Sequence, residues 1–226
     1  MQYSLLEQSE YKNRLFHFFE IYDKQVDDYE EIELFIRHKL SQLPLSILLK
    51  YLRETHYTYL HKTLPEMEQN FHHLLRHHNN SLSVPVLLCN LFMHYKQNLT
   101  KHIQQEEIQL FPYIEQLIHI KREVDDGVFS NYFELSRLLH QYSIQQFNHQ
   151  YADVENKLTK IREVIMQFSP VNNSPFPFSL FLVQLEQFEM SLNIHAKIED
   201  VVFAPKVEVI ENQLRELVDT DHRNSN

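Results

Sequence analysis

The stretch KHIQQEEIQLFP (Lys101–Pro112) decides how the rest of the sequence is interpreted. Its apolar spacing predicts a helix, and positions i and i+4 of a helix lie on one face. An imidazole and a carboxylate at that spacing can therefore point at one buried ion. The chain has three such pairs: His102/Glu106, His119/Glu123 and His195/Glu199. Random placement would give about 1.5 pairs, so one pair alone is weak evidence.

A separation of 93 residues distinguishes two of these pairs from the third. Matched residues recur at this separation: His102 and His195, Glu106 and Glu199, Pro112 and Pro205, and His56 and His149. We infer two related helical hairpins, each with a histidine on its first helix and a His–Glu pair on its second. The third pair has no counterpart and is predicted to lie on the surface, as are most of the chain's 15 histidines.

Composition and hydrophobic spacing predict an all-α fold, because the chain has one glycine, no tryptophan and many strong helix formers. Long helices are expected over about 45–78, from Pro85 past Pro112, over about 131–168 and over about 180–203, with a kink at Pro65. Four long helices favour an up-and-down four-helix bundle. The predicted division is a helical N-terminal extension (1–44), the bundle (45–209) and a polar C-terminal tail (210–226).

Several function classes are disfavoured by composition. The single cysteine, Cys89, excludes an internal disulfide and a cysteine-based zinc or iron–sulfur site. A formal charge of -10 argues against nucleic acid as a partner. No apolar run is long enough to cross a bilayer and no signal-type segment begins the chain, so a cytoplasmic protein without membrane contact is expected. The oligomeric state stays open.

Six side chains are candidate metal ligands: His56, His102, Glu106, His149, His195 and Glu199. This set exceeds the needs of one tetrahedral zinc and suits two adjacent ions bridged by the carboxylates and by an oxide or hydroxide. The alternative is a set of polar core histidines or exposed helix faces. His61 is a rival to His56. Glu107 and Asp200 are rivals to the two glutamates, although position i+5 turns away from the histidine.

The same segments resemble the hemerythrin-like di-iron proteins, in particular the repair-of-iron-centres group. HIQQEEIQLFPYI (102–114) and HAKIEDVVFAPKV (195–207) are similar to the segments of the second and last helices of that group. FNHQYADVENKL (147–158) and LRETHYTYLHKTLPEM (52–67) resemble its other histidine segments. The likeness extends over about 45–209, and the stretch HxxxEExxLFP is its most specific part.

This resemblance implies a non-haem di-iron centre in a four-helix bundle. The expected function is repair of iron–sulfur clusters, or iron delivery, under nitrosative and oxidative stress. The alternatives are a sensor or carrier of O₂ or NO, and an NO or peroxide reductase; whether the protein is an enzyme is left open. Two features depart from the group: the chain lacks the paired-cysteine N-terminal module of many members, and some members place the first ligand where this chain has Tyr57.

Overall fold

The structure is a computed structural model that describes residues 33–34, 36–77, 83–151 and 176–224. Eight α-helices follow one another in these ranges: α1 (Leu45–Thr58), α2 (Leu64–His77), α3 (Ser83–Gln105), α4 (Phe111–Asp125), α5 (Tyr132–Gln141), α6 (Ile144–Tyr151), α7 (Phe176–Ile198) and α8 (Ala204–Asn224). Four π-helical turns accompany them: π1 (Ile36–Leu40), π2 (Tyr59–Thr63), π3 (Glu106–Leu110) and π4 (Glu199–Phe203). These ranges contain no strand, which confirms the all-α prediction.

Helix boundaries in the structure also recur 93 positions apart. The last residues of α3 and α7, both ends of π3 and π4, and the starts of α4 and α8 all differ by 93. The sequence repeat is therefore a repeat of helical segments, and it assigns equivalent positions to residues in the two hairpins.

Each of the turns π2, π3 and π4 stands immediately before a residue followed by proline. In each turn the backbone N–H of the residue before the proline donates to a carbonyl five residues earlier: Leu64 to Tyr59, Phe111 to Glu106, and Ala204 to Glu199. In a regular helix the proline ring would clash with the carbonyl four residues earlier, and the wider turn accommodates it. The chain thus passes each proline as a continuous helix with one widened turn.

Two apolar cores lie on either side of the polar residues. The first core includes Leu48, Leu52, Phe111, Ile114, Ile198 and Phe203. The second core includes Tyr59, Leu64, Phe92, Leu99, Phe181 and Phe188. Along α1 the chain passes from the first core to the second, with His56 between them. Along α3–π3–α4 and α7–π4–α8 it passes from the second core to the first, with one His–Glu pair at each crossing.

One predicted helix is broken in the structure. The helix expected over 131–168 ends at Gln141, and a new helix starts at Ile144. The break is stabilised by the buried carboxylate of Glu211 on α8, which accepts a hydrogen bond from the Ile144 N–H (2.8 Å) and another from the Tyr113 hydroxyl (2.7 Å). Glu211 therefore satisfies the first N–H of α6 from a distant helix, while the local Ser143 hydroxyl accepts from the Gln145 N–H at 3.3 Å. Residues 152–175, including the predicted linker, lie outside the described ranges.

Both ends of the described chain contact the first core. Ile36 and Leu40 of π1 are buried in it, and π1 packs against π4. Helix α8 continues past residue 209 and buries Leu214 and Val218 in the same core. The division into 1–44, 45–209 and 210–226 stays a prediction. No helix within the described ranges has the length and apolar character needed to cross a membrane.

Phe181 tests the second core because its ring lies 5.1 Å from Phe71 and 6.2 Å from Phe92. Phe181→Ala should lower the free energy of unfolding of the metal-free protein by about 3–5 kcal/mol, since it leaves a cavity. The control is Phe133→Ala, which removes a side chain that is 78% exposed and should change stability by less than about 0.5 kcal/mol. Denaturant unfolding measures both. Equal losses of unfolding free energy in the two variants would contradict the assignment of Phe181 to the second core.

Candidate metal centre

Five of the six predicted ligands have described side chains, and these meet between the two cores. His56 comes from α1, His102 from α3 and His195 from α7, while Glu106 and Glu199 are the first residues of π3 and π4. His56, Glu106 and His195 are 2%, 4% and 5% exposed. Such polar groups are costly to bury unless partners satisfy them, so their grouping requires an explanation.

The ring nitrogen Nε2 of His56 lies at the middle of the cluster. It is 3.1 Å from Nε2 of His195 and 3.2 Å from Oε2 of Glu106. The other oxygen of Glu106, Oε1, lies 3.3 Å from Nε2 of His102. Oε1 of Glu199 lies 3.3 Å from Nε2 of His195. Three imidazoles thus direct the same type of nitrogen toward two carboxylates.

A hydrogen-bond chain fixes the tautomer of His195. The hydroxyl of Thr55 donates its one proton to the carbonyl oxygen of Leu52, at 2.7 Å. The same hydroxyl oxygen lies 2.8 Å from Nδ1 of His195, so it must accept a hydrogen bond from Nδ1–H. A neutral imidazole with its proton on Nδ1 has a lone pair on Nε2. A neutral His195 held in this way would present a lone pair to the centre of the cluster.

His56 is oriented in the same way by a carboxylate. Its Nδ1 lies 2.9 Å from Oε1 of Glu107, and an ionised carboxylate can only accept. Nδ1 of His56 thus carries a proton, and in the neutral imidazole Nε2 has the lone pair. With both rings neutral, two lone pairs would face each other across 3.1 Å. A proton between them would satisfy these nitrogens alone, whereas a metal ion would satisfy the nitrogens and the nearby carboxylate oxygens together.

The electrostatics of the cluster also favour a cation. Burial lowers the pKa of His102 to about 4, with His56 and His195 adding to the shift and Glu199 partly opposing it. His102 is therefore neutral at pH 7, the form that binds metals. Burial acts to raise the pKa of Glu199, but the three imidazoles more than offset this and hold it below its usual value. A buried carboxylate is stabilised by a positive charge beside it, and a metal cation would supply that charge.

The donor set is suitable for a first-row metal. One ligand atom each from His56, His195 and Glu199 lies within 4.8 Å of the others, so these residues can hold a metal ion. Imidazole nitrogen and carboxylate oxygen together suit iron, manganese or zinc. The donor atoms converge and their lone pairs point inward, so the residues present fit a metal ion.

The other candidate positions either lie on the surface or have side chains outside the described residues. His149 lies on α6, and its side chain is outside the described residues. His61, the rival to His56, is exposed, with its ring 4.5 Å from that of Tyr57. Asp200 is exposed as well. The pair His119/Glu123 lies on the surface, as predicted, with His119 69% exposed.

Sequence reasoning missed the two residues that orient the imidazoles. Glu107 was considered only as a metal ligand, although it follows Glu106 directly and lies beside the far nitrogen of His56. The adjacent pair of acids was the available signal. Thr55 gave no signal, because its partner His195 is 140 positions away in the chain.

No protein-family profile, curated protein or solved structure matches this chain. The candidate metal centre is therefore inferred from the geometry and chemistry of its own side chains.

Zinc is a redox-inert probe of this site. Adding Zn²⁺ to metal-free protein at neutral pH should raise the melting temperature, since a ligand at about 100-fold above its Kd stabilises the native state by about 2.7 kcal/mol. His195→Ala should remove most of this gain because it deletes a central ligand. His119→Ala, a matched change at an exposed His–Glu pair, should keep it. An unchanged wild-type melting temperature, or equal loss in both variants, would contradict the assignment.

Proposed function

We propose that this chain is a non-haem di-iron protein of the hemerythrin-like type that serves the repair of iron–sulfur clusters, or iron delivery, under nitrosative and oxidative stress. The observation that carries the proposal is the meeting of the His56 and His195 lone pairs at 3.1 Å, with the carboxylates of Glu106 and Glu199 beside them. The resemblance of the four histidine segments to the repair-of-iron-centres group supplies the biological role.

An up-and-down four-helix bundle is the architecture that we propose around this centre. The direction of α1 between the two cores is opposite to that of α3–π3–α4 and of α7–π4–α8. Helix α6 begins in the first core, where Ile144 and Phe147 are buried. It therefore starts on the same side as α1, as an alternating arrangement requires.

Two ions fit the donor set better than one. The two oxygens of Glu106 approach different imidazoles, at 3.2 Å from His56 and 3.3 Å from His102, which is the arrangement of a bridging carboxylate. We propose that His56 and His195 bind one iron, and that His102 binds the other together with His149, the counterpart of His56 at a separation of 93. Glu106 and Glu199 would then bridge the two ions.

The bound irons would supply redox chemistry and an open coordination position for O₂, NO or peroxide. The protein's own residues orient the ligands and limit the access of water. Exposure is uneven: the side chain of His56 is 2% exposed, whereas those of His102 and Glu199 are 14% and 17% exposed. A small ligand would reach the centre, and iron would leave it, on the side of His102 and Glu199. This uneven exposure supports delivery of iron to a client.

A sensor of O₂ or NO is the second candidate, and one contact favours it. Turn π1 packs against π4, whose first residue is Glu199. Next to this contact, Nζ of Lys197 lies 3.2 Å from a carboxylate oxygen of Glu33. A change in the position of Glu199 on ligand binding would therefore reach the predicted N-terminal extension (1–44), which includes π1 and Glu33.

Iron content tests the di-iron assignment. Protein purified anaerobically and reconstituted with Fe²⁺ should contain about two irons per chain. His56→Ala and His102→Ala should each lower this content clearly, because they remove ligands from different ions. His61→Ala, which changes an exposed histidine on the same helical segment as His56, should keep it. Wild-type protein without iron, or equal loss in His61→Ala, would contradict the proposal.

Iron transfer separates delivery from sensing. Iron-loaded protein mixed with an apo iron–sulfur protein and a sulfide source should restore the acceptor's cluster, measured by its visible absorption. The control is the same amount of Fe²⁺ added without the protein. Reversible spectral changes with NO or O₂, without transfer to the acceptor, would favour the sensor and contradict the delivery role.

A further inference from the structure

We propose that Glu107, held in place by Arg53, is a positioning residue that sets the donor strength of His56 through its negative charge. This inference rests on the proposed metal centre, because its effect is expressed through a metal bound at Nε2 of His56. Glu107 is not itself a ligand in this account, since its carboxylate lies at the opposite nitrogen, Nδ1, at 2.9 Å.

The carboxylate of Glu107 has a separate partner for each oxygen. Oε1 accepts the hydrogen bond from Nδ1 of His56, and Oε2 lies 3.3 Å from Nε of Arg53. Arg53 is fixed in turn by an ion pair with Glu115 on α4. A series of charged groups therefore runs from the buried imidazole to the surface. Of the charged groups in this series, all of them described residues, only Glu107 contacts the imidazole of His56.

An aromatic ring fixes the remaining freedom of His56. The ring of Phe111 stacks on the His56 ring at a centroid distance of 5.3 Å and an interplanar angle of 5°. The guanidinium of Arg53 lies 5.6 Å from the centre of the same Phe111 ring, a cation–π arrangement. Phe111 therefore sets the plane of the imidazole and Glu107 sets its rotation, so that Nε2 points toward His195 and Glu106.

The comparison with His195 isolates the contribution of charge. His195 is oriented by the neutral hydroxyl of Thr55, which accepts its Nδ1–H at 2.8 Å. Both imidazoles are therefore held in the same tautomer, but only His56 donates to an anion. A carboxylate at Nδ1 draws the proton toward itself and makes Nε2 more basic, which strengthens metal binding. His56 is thus the stronger nitrogen donor of the two.

A purely structural ion pair would act differently. The side chains of Glu107 and Arg53 are 32% and 35% exposed, and a pair at such exposure stabilises a fold by roughly 1 kcal/mol or less. If the pair only joined α1 to π3, removing its charge would change the stability of the metal-free protein slightly. It would change neither the affinity for metal nor the reduction potential of bound iron.

The test replaces the charge and keeps the shape. Glu107→Gln can still accept the Nδ1–H bond, and we expect its affinity for Zn²⁺, measured by competition with a chromophoric chelator, to fall by about 10–100-fold. Glu107→Asp, which keeps the anion, should recover part of this loss. Glu115→Gln, which neutralises the far end of the series, should stay within about 3-fold of wild type. Unfolding of each metal-free variant is measured in parallel.

The reduction potential supplies a readout that packing would not move. In iron-loaded Glu107→Gln the potential should shift to more positive values, because a weaker donor stabilises the oxidised iron less. Wild-type affinity and potential in Glu107→Gln would overturn the role of Glu107 alone. If Glu107→Gln loses affinity for Zn²⁺ but the metal-free variant is also unfolded, the role of Glu107 would likewise be overturned. Failure of the wild-type protein to bind Zn²⁺ or iron would overturn the metal centre itself.

Discussion

The structure depends on two imidazole nitrogens that face each other at 3.1 Å in a buried layer between two apolar cores. Thr55 and Glu107 accept hydrogen bonds from Nδ1–H of the two rings and hold their Nε2 atoms directed inward. In a metal-free state such an arrangement is unfavourable, because acceptors face acceptors beside carboxylates in a region with little water. A cation would remove the conflict, and the apolar cores on both sides hold the candidate ligands together.

The repeat of helices explains how one short chain supplies so many ligands to one layer. Two helical segments, each ending in a widened turn before proline, bring a His–Glu pair to the boundary between the cores. The carbonyl of each ligand glutamate accepts the hydrogen bond that closes its π-turn. Each widened turn before a proline thus begins at the glutamate whose carboxylate lies in the cluster.

Much of the candidate site could be predicted from the sequence, and the reason is physical. His102 and Glu106 share a helix face through local geometry alone, and the match at 93 residues gave the relation to His195 and Glu199 without a structure. The predictions failed where distant contacts decide. The break before Ile144 depends on Glu211 from another helix, and the tautomer of His195 depends on Thr55. The sequence predicts a kink at Pro65, where the structure has the turn π2, because a proline indicates a disturbed helix but not the form that the disturbance takes.

Anomalous X-ray scattering at the iron edge, on crystals of protein reconstituted with Fe²⁺, tests the central claim most directly. The account predicts two adjacent anomalous peaks in the buried layer, with Nε2 of His56 and of His195 bound to the same ion and Glu106 between the ions. No peak in this layer, with the two nitrogens still in direct contact, would contradict it.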